Sequence, residues 1–326
     1  MGLTMSEMIA LENLSKRFGD FLAVDAINLA VARGEVLGFL GPNGAGKSTT
    51  MKMVAGFLPP TGGQAKVCGY DVSVDPVAVK KRIGYLPEGA PAYGDMSPRG
   101  FLNFIAEIRG FDGRERLKRI GEIVEKVILN EVLDQPIDTL SKGFKRRVGL
   151  AQAMLHDPEV LILDEPTDGL DPNQKHHVRA LIQDMAKDKA IVISTHILEE
   201  VEAVCSRAVI IARGKLLVDG SAEELIARAP NHNTAVVSVV SDATSRATAA
   251  AESLAWVRKV EVIDSQAGTS RLRVFARDGA TNLVQLGEVM KAANIDIMES
   301  YIDRGTLDEV FRNITTFSVP GESVHA

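Results

Sequence analysis

Cysteine is nearly absent: Cys68 and Cys205 are the only two in 326 residues. Two thiols make neither a disulfide framework nor a zinc site, and such low usage suits a reducing compartment. Positive charge is not in excess either. The 37 Lys and Arg against 43 Asp and Glu leave a net charge of −6, which argues against a nucleic-acid partner and gives no general attraction to an anionic membrane surface. Apolar runs such as Val160–Leu163 last a few residues, far short of the roughly 20 a spanning helix needs. Met1–Leu11 lacks the basic start and apolar stretch of a secretory leader. The chain is therefore expected to be soluble, with any membrane role reached through a partner. No short repeat or low-complexity tract stands out. Apolar residues reach 45%, enough for a proper core, and the length allows one large domain or two ordinary ones.

The first two-thirds alternate apolar runs with amphipathic stretches, the rhythm of an α/β fold. Val36–Leu40 predicts a strand, Ser48–Ala55 the helix after it, with Gly56 as its stop. Val160–Leu163 and Ile191–Ser194 predict two further buried strands. Val209–Ala212 and Lys215–Val218 flank Arg213-Gly214, a hairpin signal. Ser221 with Glu224 three residues on is a capping-box signature, and the main domain should end near there. Pro230, Asn231 and Asn233 mark a linker over 225–233. From Thr234 the pattern is β-α-β-β-α-β: strands Thr234–Val240, Val257–Ile263, Arg271–Ala276 and Ile295–Tyr301, helices Thr244–Leu254 and Thr281–Ala293. Thr306–Ile314 is a candidate closing helix, with Leu307, Val310 and Phe311 spaced to pack on one face.

The strongest motif is Gly41-Pro42-Asn43-Gly44-Ala45-Gly46-Lys47-Ser48-Thr49, between a predicted strand and a predicted helix. Glycines let backbone amides curl around a phosphate, and the helix start adds partial positive charge. Lys47 is expected to reach the β- and γ-phosphates, and the Ser48 hydroxyl to bind Mg²⁺. Asp164 and Glu165 end an apolar strand, where buried carboxylates need cations or hydrogen bonds. Asp164 fits a Mg²⁺-side ligand and Glu165 the base that polarises an attacking water. His196 closes another buried strand, where ligand sites of open α/β sheets collect. A neutral imidazole there can bond the γ-phosphate and the water. His156, His176, His177, His232 and His325 are expected at the surface or in packing.

Leu140-Ser141-Lys142-Gly143-Phe144 resembles the signature motif of ABC ATPases. Gly169-Leu170-Asp171 is similar to their D-loop, Ile193-Ser194-Thr195-His196 to their switch histidine, and Phe18 to the aromatic that stacks on adenine. The likeness runs from about Met8 to Glu224. It implies an ABC ATPase: a P-loop NTPase α/β core with an antiparallel β subdomain and a helical subdomain over about 89–155, followed by a small ferredoxin-like α+β domain over 234–316. It further implies a head-to-tail homodimer or heterodimer enclosing two ATP molecules with Mg²⁺. Ser141 and Gly143, with Asp171 of the D-loop, would then face nucleotide held by the partner, while Lys142 would either add a cation near its γ-phosphate or face solvent. Ser141 is also a good N-cap, so its helix offers a second anion-binding end. For Lys145, Arg146 and Arg147, a solvated charged face is the expectation for at least two.

Three positions depart from the family pattern. Glu88 stands where the family has glutamine; a carboxylate can still ligate Mg²⁺ but cannot donate as an amide does. Lys142 and Phe144 replace the usual Gly and Gln. These variants, and the closing Thr306-Leu307-Asp308-Glu309-Val310-Phe311, resemble ATPase subunits of drug, polysaccharide or gliding-motility exporters. The resemblance implies a cytoplasmic subunit at the inner face of the cell membrane, driving an integral membrane permease through the surface near Glu88–Ile105. The rivals are an ABC ATPase without a transporter and a nucleotide-sensing regulatory module.

Overall fold

The computed structural model describes residues 7–89, 92–266 and 268–317; His325 and the first six residues lie outside them. Two twelve-residue strands open the chain, β1 (Glu7–Phe18) and β2 (Phe21–Ala32), joined by the turn at Gly19. There follow β3 (Val36–Leu40), α1 (Lys47–Val54), β4 (Gly62–Val67), β5 (Tyr70–Asp71), α2 (Pro76–Arg82) and β6 (Ile83–Leu86). Next come α3 (Pro98–Ile108), α4 (Gly113–Lys126), α5 (Lys142–Met154), β7 (Val160–Asp164), α6 (Pro172–Ala186) and β8 (Ala190–Ser194). α7 (Leu198–Val204), β9 (Arg207–Ala212) and β10 (Lys215–Gly220) complete a first unit that runs to Ala222.

This unit holds two sheets. β2-β1-β4-β5 is antiparallel; β10-β9-β3-β8-β7-β6 is parallel except for its β9–β10 hairpin. The parallel strands are buried on both faces, which is why they read as unbroken apolar runs. Ile162 and Val192 pack with Leu14, Val24 and Ile27 of the antiparallel sheet and with Met51 and Met53 of α1. Leu161, Leu163, Ile191 and Ile193 turn the other way, onto the cluster formed by α3, α4, α5 and α6. Each such side chain taken out of water stabilises the fold by about 2 kcal/mol. The hairpin predicted at Arg213-Gly214 is present, and both residues have positive φ, 49° and 78°, the primed turn that suits strand twist.

The second unit spans Glu223–Phe317. After a short α8 (Ala222–Ile226) it contains β11 (Thr234–Val240), α9 (Thr244–Glu252), β12 (Val257–Gln266), β13 (Thr269–Ala276), α10 (Leu283–Ala292), β14 (Ile297–Asp303) and α11 (Leu307–Phe317). The antiparallel order β12-β13-β11-β14 is the ferredoxin-like arrangement expected of the β-α-β-β-α-β pattern. Ala247, Ala251, Leu286 and Met290 of the two helices cover Val237, Leu272 and Val274. Leu307 and Val310 of α11 are fully buried. Residues 225–233, expected as a linker, are packed within this unit. Leu225 is buried, Asn231 Nδ2 donates to Glu309 Oε1 at 3.1 Å, and His232 Nδ1 donates to the Arg304 carbonyl at 2.7 Å.

His156 is a packing residue, as expected. Its Nε2 donates to the Ile83 carbonyl at 3.0 Å, and its Nδ1 is buried without a partner. Burial, then the nearby Arg109, lowers its pKa from 6.5 to about 4. As pH falls the unfolded chain takes up this proton first, so stability is lost between about pH 6.5 and 4. Urea midpoints measured across that window should decline toward acid. His156→Gln should remove part of the decline; an unchanged slope would show that this ring is not the source.

Candidate active site

β3 feeds a loop, 41–46, that bends sharply into α1. A Cβ on Gly41 would lie 2.4 Å from the Ile211 carbonyl oxygen, and one on Gly46, whose φ is 107°, 2.6 Å from that of Ala23. Nothing larger than hydrogen fits at either place, which fixes the loop against β2 and β9. The β9–β10 turn braces it from outside, where the Gly214 amide donates to the Ala45 carbonyl at 2.9 Å. Lys47 Nζ donates to the carbonyls of Gly41 (2.6 Å) and Pro42 (3.1 Å). Burial lowers the Lys47 pKa, opposed by Glu165, Asp164 and Glu88 in that order. With Gly46 as N-cap, no side chain caps α1, so its first amides remain available to an anion.

The opposite wall is the carboxyl end of β7. Asp164 is 3% exposed; its Oδ1 accepts the Ser194 hydroxyl, while its Oδ2 is buried with no protein partner. Glu165 has a φ of 53°, a strained conformation for a side-chain-bearing residue, and its Oε1 lies 2.9 Å from His196 Nδ1. Arg146 of α5 holds this corner: Nε donates to the Glu165 carbonyl (2.8 Å), Nη1 to that of Pro87 (3.1 Å), and Nη2 to those of Asp164 and Glu165. Arg147 donates to the Ile128 carbonyl at 3.1 Å. Arg146 and Arg147 are buried, which corrects the expectation of a solvated face; Lys145 is half-buried near Asp138. Their partners are backbone carbonyls from distant segments.

Phe18, Asn43–Thr49, Glu88, Asp164 and Glu165 converge on one cleft of about 430 Å³. Gly41 and Pro42 contribute through their bonds to Lys47, and His196 through Glu165. Ser141, Lys142, Gly143 and Asp171 are not among the lining residues. They gather where α5 meets the loop after Glu165: a Cβ on Gly143 would lie 2.8 Å from Gln174 Oε1, Ser141 Oγ accepts from the Phe144 amide at 3.3 Å, and Asp171 Oδ1 from that of Gln174 at 2.9 Å. Sequence reading missed Phe21 and Ala23 in the lining. Phe21 pairs with Phe18 across the β1–β2 turn, a signal present in the short spacing. Phe18 and Phe21 are 48% and 63% exposed, and Lys16 Nζ lies 5.2 Å from the Phe18 ring centre.

A divalent cation fits this corner. Among the described residues no three His, Cys, Asp or Glu side chains form a metal cage, but Mg²⁺ needs one or two carboxylates beside substrate phosphates. The free Asp164 Oδ2, with Ser48 and Glu88 lining the same cleft, matches that demand.

The family profile described as ABC transporter matches residues 24–168. The linearmycin resistance ATP-binding protein LnrL of Bacillus subtilis is 32% identical over 309 residues, 94% of this chain and 98% of that protein. The probable multidrug ABC transporter ATP-binding protein YbhF of Escherichia coli is 38% identical over 228 residues; the match takes in 69% of this chain and 39% of YbhF. Among solved structures, an ATP-binding subunit of an ABC transporter superposes with a TM-score of 0.63 at 29% identity, covering 67% of this chain and 91% of that one. The chain thus belongs to the ATP-binding proteins of ABC transporters.

Arg146→Met should strand three carbonyls in a buried setting. The expected loss is about 3 kcal/mol of unfolding free energy, read from denaturant titration; a loss under about 0.5 kcal/mol, the usual range for surface changes, would remove the arginine from this role.

Proposed function

We propose that this chain is the ATP-hydrolysing subunit of an ABC exporter and works through a separate integral membrane permease. One observation carries the reading: Lys47 at the head of α1, the half-satisfied Asp164 and Glu165 line a single cleft, and His196 stands 2.9 Å behind Glu165. Lys47 and the loop amides 43–49 grip the phosphates, with charge stabilisation from the α1 dipole. Phe18 stacks on the base. Glu165 takes a proton from the attacking water, and His196 holds the carboxylate's orientation through the 2.9 Å contact. Ser48, Asp164 and Glu88 are the residues that would hold Mg²⁺, which when bound neutralises phosphate charge.

A second copy or a related subunit is the proposed dimer partner, supplying Ser141, Lys142, Gly143 and Asp171 toward the nucleotide. The nucleotide-binding domain is the first unit, from about Met8 to Ala222, and the accessory domain is the second unit, Glu223–Phe317. Among the described residues no helix is long and apolar enough to cross a membrane, and the proposed location is peripheral, at the inner face of the cell membrane. Phe57 and Tyr93 are 65% and 55% exposed beside an apolar groove that also includes Tyr85 and Phe101. It borders Glu88–Ile105 and supports that surface as the place where the permease docks. The Glu165–His196 pair favours turnover over a sensing module that binds without hydrolysis.

ATPase assays on purified protein should find slow wild-type hydrolysis and at least about 100-fold less in Glu165→Gln, with nucleotide binding kept; equal rates would take Glu165 out of the reaction. Titration with a fluorescent ATP analogue should show Lys47→Ala losing affinity, and unchanged affinity would count against the phosphate-loop assignment. A permease recovered with the chain from solubilised membranes is the expected result for export.

A further inference from the structure

Behind the Glu165–His196 pair lies a second buried carboxylate with no part in the chemistry above. Glu200, in the first turn of α7, is 4% exposed, a burial an unpaired charge does not tolerate. Its Oε1 accepts the hydroxyl of Thr167, and its Oε2 that of Thr195 at 3.2 Å. Both threonines are buried, at 3% and 0% exposure. Thr195 Oγ1 also accepts from the Ile197 amide at 3.0 Å. Lys175 and Arg179 of α6 each stand 3.7 Å from Glu200 Oε1 and offset its charge.

The positions of the two threonines matter. Thr167 follows Glu165 by two residues, and Thr195 immediately precedes His196. The loops carrying the two members of the pair are therefore bonded to opposite oxygens of one carboxylate. Glu165 needs such support, because its left-handed backbone costs about 1–3 kcal/mol and persists only where neighbours over-determine it. Glu200 itself is not among the residues lining the nucleotide cleft.

We propose that Glu200 is a positioning residue that clamps the loop after β7 to the loop after β8 and so sets the Glu165–His196 geometry. The proposal rests on the hydrolytic reading above for its consequence in turnover. The clamp itself is separable from that reading. Three quantities measured on the full chain test it: kcat, affinity for a fluorescent ATP analogue, and the ring-nitrogen magnetic resonance of His196, assigned with His196→Gln.

Glu200→Ala should lower kcat about 10- to 100-fold, the scale of a misplaced reacting group. Affinity should stay within about twofold, since the phosphate loop is held by other contacts. Glu200→Gln keeps hydrogen-bonding atoms at both ends and should recover part of kcat. Thr167→Val and Thr195→Val each remove one strut at nearly constant volume, should each cost a few-fold in kcat, and carry the test if Glu200→Ala does not fold. The His196 resonance should move in Glu200→Ala and in both threonine variants. Unchanged kcat with an unmoved resonance overturns the proposal. So does a parallel fall of kcat and affinity with no recovery in Glu200→Gln, which would mark a merely structural residue. If the chain never hydrolyses ATP, with or without its permease, the hydrolytic reading fails, while a moved or unmoved His196 resonance still decides the clamp.

Discussion

The two oxygens of Asp164 have different surroundings. One accepts the Ser194 hydroxyl from the neighbouring strand; the other is buried without a protein partner. A carboxylate desolvated in this way demands positive charge close by, and the local architecture answers it. Lys47 is drawn to the same corner, and its own burial, which disfavours the ammonium, is opposed by Glu165, Asp164 and Glu88. Arg146 adds a guanidinium whose donors hold the carbonyls at the ends of β6 and β7. Cations and anions here depend on one another, so the corner forms only when strands, loop and α5 are all in place.

That interdependence explains why the site sits at the carboxyl ends of parallel strands. β3, β7 and β8 are buried along their length and come to the same edge of the sheet, where side chains first escape the two packed faces. Glu165, with its positive φ, and the loop glycines Gly44 and Gly46 stand at the same edge.

Much of this was legible in the residues. The phosphate loop declares itself because close backbone approach admits only glycine, at Gly41 and Gly46. β7 and β8 show as short unbroken apolar runs because both faces are covered. The second unit's strands and helices follow ordinary alternation and spacing. The long β1–β2 ribbon was less visible: register shifts between Leu11, Leu14, Lys16 and Arg17 interrupt the two-residue period. Arg146, Arg147 and Glu200 look like solvent-facing charges in sequence, since their partners come from far along the chain or from backbone carbonyls that no side-chain pattern encodes. The packed run 225–233 hid behind residues typical of open turns.

The Gly214 amide bonded to Ala45 has a bearing on modularity. The nine-residue glycine-lysine signature is often treated as portable, yet here its curvature is underwritten by a hairpin more than 160 positions downstream, and Gly41 is fitted against Ile211 of the same hairpin. A fragment ending before Arg207 would carry every letter of the motif and lack the mould that shapes it. Ligand recognition in this protein is thus a property of the assembled sheet, not of a contiguous peptide.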